Sequence, residues 1–107
     1  MKRFGSVIKV RKDKIEEYKK LHVKIWPEIE KLIYDCNIRN YSIYLKDDLL
    51  FGYYEYIGND YKADMEKMAN NAKNKEWWAV TEPCQEPLPT RLDGEWWAEM
   101  EEVFHQD

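Results

Sequence analysis

Hydrophobic and polar positions follow two different periods along the chain, and the changes between them mark the predicted elements. Residues 3–11 alternate and are rich in β-forming side chains, which predicts a strand. From Lys14 to Asp35 the apolar residues return every three or four positions, as on one face of a helix. Pro27 lies inside this helix and removes a backbone hydrogen bond, so the helix must kink or restart there.

A predicted hairpin follows, with strands at 38–46 and 49–57. Strict alternation in the first strand puts Tyr41 on one face and Tyr44 on the other, with Ile38 on the same face as Tyr44. The remaining predicted elements are a helix at 61–71, a short helical segment at 73–82, a proline-rich loop at 83–94 and a strand at 100–105.

The end of the chain fits two descriptions, since residues 95–107 have helix propensity while 100–105 alternate like a strand. We expect the strand, because the order β-α-β-β-α then closes into a β-α-β-β-α-β unit. This predicts an α+β fold over residues 1–107, a single ferredoxin-like domain with its helices on one face of the sheet. The other face carries aromatic side chains, so we expect a second copy to cover it in a homodimer.

Composition narrows the class of protein. The chain has 107 residues, of which 44% are hydrophobic and 36% charged, as in one globular domain. A net charge of −4 does not fit nucleic-acid binding, and no apolar run approaches the ~18 residues of a membrane span. Residues 1–10 are too short and too quickly charged for a signal peptide, and Cys36 and Cys84 lack paired spacing. We therefore expect a cytoplasmic protein with free thiols.

Aromatic residues are frequent, with five Trp and eight Tyr. Two of them, Tyr18 and Trp26, lie near His22 in the first predicted helix. Tyr18, His22 and Trp26 lie four apart, so a continuous helix would present them as one stripe. This stripe is either a part of the core or the wall of a pocket. In a pocket, His22 would act as a general acid or base, because imidazole titrates near neutral pH.

The adjacent pair Trp77-Trp78 is the second candidate feature. Neighbouring side chains on a helix point in different directions, so we expect one Trp to pack and the other to face a cavity. The pair either anchors a short helix or presents an aromatic face to the C–H face of a sugar. His22 and His105 have no metal-ligand spacing, and no glycine-rich phosphate loop is present, so we expect neither a metal nor a cofactor.

Four blocks of sequence together match a known pattern. They are EEYKKLHVKIWPEIEKLI at 16–33, IRNYSIYL at 38–45, LLFGYYE at 49–55 and EWW at 76–78. Through these blocks the chain resembles the L-rhamnose mutarotase family over nearly its whole length. The resemblance implies a dimeric α/β barrel of ferredoxin-like halves that exchanges the α and β anomers of a 6-deoxyhexopyranose, a monosaccharide, without a cofactor.

The same resemblance implies the residues of the site. His22 matches the proton-donating histidine of the family, and Trp26 matches a motif position without an assigned catalytic role. The tail from residue 83 is longer and richer in Trp than the pattern of the rhamnose enzymes, so L-fucose remains an alternative sugar. The positions that match substrate-binding residues are Tyr18, Tyr41, Trp77 and Trp78.

Two further function classes fit the predicted fold, because a fold alone does not determine a reaction. A dimeric α/β-barrel monooxygenase or haem-handling protein would also place a lone histidine among aromatic side chains. A non-catalytic sugar-binding module would use the same side chains only to hold its ligand.

Overall fold

Five strands and four α-helices make up the chain, which a computed structural model describes over residues 1–107. None of the helices combines the length and apolar character needed to cross a membrane. Single turns of 3-10 helix at Lys12–Lys14 and Glu82–Cys84 precede the first helix and follow the last. The elements are β1 (Lys2–Val10), α1 (Ile15–Val23), α2 (Pro27–Asp35), β2 (Ile38–Lys46), β3 (Leu49–Tyr56), α3 (Tyr61–Asn70), α4 (Ala72–Thr81), β4 (Gln85–Glu86) and β5 (Ala98–Met100).

The strands form one antiparallel sheet in the order β2-β3-β1, and both β4 and β5 pair with the remaining edge of β1. This is the strand order of a ferredoxin-like unit, so the α+β prediction is confirmed. Ile8, Val10 and Leu50 are at most 2% exposed, and they pack with Tyr18 of α1 and with Cys84. The core therefore lies between the helices and one face of the sheet.

The long predicted helix is interrupted just before Pro27. α1 ends at Val23, and α2 restarts with Pro27 in its first turn, where a missing backbone N–H costs no helical hydrogen bond. Trp26 occupies the N-cap of α2 in an extended conformation. The restart was one of the two outcomes predicted for this proline, and it ends the continuous helix that the aromatic stripe assumed.

A β-bulge in β2 corrects the predicted alternation of that strand. Arg39 pairs with Glu55 and Ser42 with Tyr53, so two residues of β2 oppose one residue of β3. Asn40 absorbs the extra residue with a left-handed φ of 52°. As a result Ile38 shares the helix-facing side with Tyr41, although alternation alone places the two on opposite faces.

The last strand was predicted at 100–105, and this placement is wrong. The strand that pairs is β5, which ends at Met100, and residues 101–107 have no regular structure. The physical reason is the length of the partner strand. Met100 pairs with Gly5, and β1 begins only three residues earlier at Lys2, so the chain soon runs past the end of its partner.

Candidate active site

The five residues predicted for the site line one cavity. It has a volume of about 440 Å³, within the usual range for small-molecule sites, and it lies between the helices and the curled sheet. Most of its lining is hydrophobic, with a few polar groups from the helices and the tail. No three His, Cys, Asp or Glu side chains are grouped so that they could hold a metal ion. The predicted lining residues are Tyr18, His22, Tyr41, Trp77 and Trp78.

His22 is held in a defined tautomer by its own helix. Its Nδ1 lies 2.8 Å from the carbonyl oxygen of Tyr18, one turn earlier in α1. Because a carbonyl oxygen only accepts, Nδ1 carries the proton and Nε2 carries the lone pair. Burial lowers the pKa of His22, and the hydrogen bond to the carbonyl of Tyr18 only partly opposes this. The imidazole is therefore neutral at neutral pH and has one basic nitrogen.

Tyr18 supplies a phenol beside this imidazole. Tyr18 is 5% exposed, and its ring centroid is 4.3 Å from that of His22. The hydroxyl oxygen accepts a hydrogen bond from Nε2 of Gln85 at 3.3 Å. Burial raises the pKa of Tyr18 well above its ordinary value, and the hydrogen bond from Gln85 lowers it only in part. Tyr18 therefore remains a protonated hydroxyl group throughout the physiological pH range.

Both members of the tryptophan pair line the cavity, although the sequence predicted that only one would face it, and they differ in exposure. Trp77 is 7% exposed and packs edge-on against His22, with ring centroids 5.4 Å apart. Trp78 is 36% exposed and forms an open part of the cavity wall. Trp26 does not line the cavity, and its ring packs edge-on against Trp77, with 5.2 Å between the ring centroids. The stripe Tyr18-His22-Trp26 is thus not one surface, and Trp26 contacts the site through Trp77.

Tyr41 enters the cavity from the sheet. The β-bulge turns its ring towards Tyr54 of β3, at a centroid distance of 5.4 Å, while Tyr44 is 69% exposed on the opposite face. Tyr54 also lines the cavity, and its hydroxyl group is hydrogen-bonded to that of Tyr61. This side of the cavity therefore presents phenol groups that can bond to hydroxyls of a ligand.

The tail contributes lining residues that the sequence did not assign to the site, above all Gln85, Trp96, Trp97 and Glu99. Trp96 donates its indole N–H to Oε1 of Gln85 at 2.7 Å. The ring of Trp97 lies against Gly52, where an added Cβ would be 3.2 Å from Cζ3 of that ring. The unusual Trp pair was a visible signal in the sequence, whereas Gln85 and Glu99 offered none.

The chemical character of the cavity suits a neutral polyhydroxyl ligand. Aromatic rings can pack on apolar C–H faces, while neutral hydroxyl, amide and imidazole groups can bond to hydroxyls. Two of these groups lie on successive turns of α1. Nε2 of His22 can accept a hydrogen bond, and the hydroxyl of Tyr18 can donate one.

Comparison with known proteins identifies the family and the fold of the chain. A family model described as L-rhamnose mutarotase matches residues 3–106. The L-rhamnose mutarotases of Oceanobacillus iheyensis and Bacillus subtilis are 37% and 34% identical to the chain, each over 100% of both sequences. A crystal structure of an L-rhamnose mutarotase from Formosa agariphila has the same fold, with a TM-score of 0.77, 24% identity and complete coverage of both chains. The chain therefore belongs to the L-rhamnose mutarotase family, a family of isomerases that act on carbohydrates.

Proposed function

We propose that this protein interconverts the α and β anomers of L-rhamnose, with His22 as its general acid and base. The observation that carries this proposal is a neutral imidazole at the wall of an aromatic cavity, with Nδ1 bound to the backbone and Nε2 free of any protein hydrogen bond. Such a nitrogen can take a proton from a sugar hydroxyl and return it. The family of the chain supports the same reaction.

The reaction needs two proton transfers and one bond cleavage. Nε2 of His22 removes the proton of the anomeric hydroxyl, and the electron pair left on that oxygen forms the aldehyde C=O bond. The bond from C1 to the ring oxygen breaks, and the ring oxygen takes up a proton from water as it becomes a hydroxyl. Rotation about the C1–C2 bond and reversal of these steps give the other anomer, with His22 returning its proton.

The aromatic lining explains how a deoxy sugar would be held. Trp77, Trp78 and Tyr41 offer apolar faces for the C–H face of the ring and for the C6 methyl group. An apolar contact with a single methyl group discriminates by only ~1–3 kcal/mol, so L-fucose is the natural competitor to test. The proton transfers need only ionisable side chains, so we propose a reaction without metal or cofactor.

The proposal includes the state of the whole protein. We infer that the chain, residues 1–107, acts as one domain and pairs with a second copy through the outer face of its sheet. Cys36 and Cys84 are buried free thiols, which fits a reducing compartment, and we propose that the protein works in the cytoplasm.

NMR saturation transfer between the α and β H1 signals tests the reaction directly. The wild-type protein should speed the exchange of L-rhamnose more than that of L-fucose. His22→Gln should lower the protein-dependent rate by ~100-fold or more, because it removes the basic nitrogen. The matched control is His105→Gln, which changes the only other histidine, in the exposed tail, and should keep the wild-type rate.

Two results would contradict the proposal. Full exchange by a folded His22→Gln protein would remove His22 from the mechanism. No exchange of either sugar by the folded wild-type protein would refute the mutarotase. Sugar binding without exchange would then favour a binding module, and a Soret band on adding haem would favour a haem-handling protein.

A further inference from the structure

A chain of hydrogen bonds connects the tail of the protein to the candidate active site. Trp96 donates its indole N–H to Oε1 of Gln85 at 2.7 Å, and Nε2 of Gln85 donates to the hydroxyl oxygen of Tyr18 at 3.3 Å. Gln85 is 4% exposed, and it lies in the short strand β4. A buried amide with both ends bonded has one defined orientation.

The chemistry of Trp96 decides this orientation. An indole nitrogen only donates a hydrogen bond, so the group that faces it must be the amide oxygen of Gln85. If the amide were rotated, two donors would face each other. The NH₂ group therefore faces Tyr18, and the hydroxyl oxygen of Tyr18 is the acceptor in that contact.

This arrangement leaves the proton of Tyr18 unused. A tyrosine hydroxyl has one proton, and Gln85 is the only protein group to which this hydroxyl is hydrogen-bonded. The titratable groups that face it are His22 on the same helix, Tyr41 from β2 and Cys84 after α4, and none accepts its proton. Because Tyr18 lines the cavity, the remaining acceptor is a ligand in the cavity.

The position of Tyr18 indicates which ligand oxygen it serves. The anomeric oxygen and the ring oxygen of a pyranose are both bonded to C1, so the groups that act on them must be neighbours. The rings of Tyr18 and His22 are neighbours, with 4.3 Å between their centroids. If His22 acts on the anomeric hydroxyl, Tyr18 is in place to act on the ring oxygen.

We propose that Gln85, oriented by Trp96, is a positioning residue that makes Tyr18 a hydrogen-bond donor to the ring oxygen of the sugar. The inference rests on the proposed mutarotase reaction and adds the group that works beside His22. It also gives a function to the Trp-containing tail, whose Trp96 holds the amide in place.

The substitution Gln85→Glu tests this polarity with almost no change in shape. An ionised carboxylate only accepts hydrogen bonds, so it can keep the bond from Trp96 but draws the proton of Tyr18 towards itself. At about pH 8 we expect kcat for L-rhamnose to fall ~10-fold or more, with KM changed less than ~3-fold, because the lost bond forms mainly in the transition state. Position 85 is only 4% exposed, and burial raises the pKa of a carboxyl group above its ordinary value of ~4.3. At about pH 5 the introduced carboxyl is therefore protonated and can again donate to Tyr18, so the ratio of variant to wild-type rate should recover.

Two further variants separate polarity from mere packing. Gln85→Leu removes both hydrogen bonds and should lose rate without any recovery at low pH. Trp96→Phe removes only the indole N–H and should lower kcat, because the amide of Gln85 can then rotate. The ratio between two pH values is measured within one folded variant, so a general loss of folded protein cannot imitate it.

The outcomes distinguish this inference from the proposed function. If the wild-type protein is active but the ratio of the Gln85→Glu rate to the wild-type rate is the same at both pH values, only the role of Gln85 is overturned. A wild-type rate in Gln85→Glu at about pH 8 does the same. A folded wild-type protein without anomer exchange overturns both the reaction and this role.

Discussion

The proposed chemistry depends on two side chains that are one helical turn apart. The spacing of Tyr18 and His22 in α1 lets the carbonyl of one bind Nδ1 of the other, so the helix itself selects the tautomer. Burial shifts the two pKa values in opposite directions, downward for the imidazole and upward for the phenol. Both groups are neutral at neutral pH, one as an acceptor and the other as a donor.

The lowered pKa of His22 predicts the pH dependence of the reaction. In the proposed reaction the neutral imidazole is the active form of the free protein, so kcat/KM should be constant at neutral pH and fall only below the ordinary histidine value of 6.5. The same shift means that the unfolded chain binds this proton more readily. Its contribution to folding stability is therefore present above the unfolded pKa and decreases as the pH falls from there.

The measurement is the protein-dependent exchange rate at low sugar concentration across the acid range. The uncatalysed rate at each pH is subtracted, because acid itself speeds mutarotation. An acid limb centred at or above 6.5 would show that the group responsible is not a buried, neutral imidazole.

Local irregularities in the strands and helices determine where the side chains of the site point. The bulge at Asn40 brings Tyr41 and Ile38 to the same face, and the restart at Pro27 separates Trp26 from the stripe. A further junction ties β3 to α3: the hydroxyl of Tyr56 donates to Asp64 and accepts from the backbone N–H of Asp60. Each of these features is local, yet each determines which surface a neighbouring side chain reaches.

Gly58 is the residue that this junction requires. An added Cβ would overlap the hydroxyl of Tyr56 and lie 2.9 Å from Nδ2 of Asn37, and both groups are already held by Asp64. We expect Gly58→Ala to lower the free energy of unfolding by ~1–3 kcal/mol, as overpacking does. Gly5→Ala is the control, since its Cβ would meet Met100 Cε at 3.4 Å, an ordinary contact.

Urea unfolding of the two variants gives the comparison. The two curves should separate in midpoint with similar slopes, because the change affects the native state. Equal stability of Gly58→Ala and Gly5→Ala would mean that the Tyr56 junction can move aside at no cost.

The molecule as a whole has one covered and one open sheet face. The helices cover the face with Ile8 and Leu50, while the outer face carries Tyr44, which is 69% exposed and pairs with Phe51 across the hairpin. Phe51 in turn pairs with Val7 of β1, so apolar side chains continue across three strands. An apolar surface of this kind favours association with a second copy.

The proposed dimer should respond to a charge introduced on this face. The wild-type protein should sediment at twice the chain mass of 13.1 kDa. Tyr44→Lys should shift it towards the monomer, because the interface would have to bury an unpaired ammonium group. Leu92→Lys is the control, since Leu92 is equally exposed at 70% but lies in the loop after β4.

Analytical ultracentrifugation over a range of protein concentrations separates the outcomes. A monomeric wild-type protein at all concentrations would refute the dimer. A dimer that tolerates Tyr44→Lys but not Leu92→Lys would move the interface to the loop.

The sequence by itself determined the features that depend on local order. Periodicity and turn residues predicted the first three strands, a kink or restart at Pro27 and the helices after Asp60, because those signals act within a few residues. The family resemblance of four sequence blocks predicted five residues that line one cavity, although their action on a sugar stays a prediction.

Only the tertiary structure decided what depends on distant pairing. The bulge in β2 is visible from its register with β3, and the end of β5 depends on where β1 begins. Gln85 reaches Tyr18, 67 residues earlier in the chain, and Trp96 reaches Gln85, because β4 and the tail return to the edge of β1. Such contacts leave no periodic trace in the sequence, since they arise from how the sheet closes and not from the order of neighbouring residues.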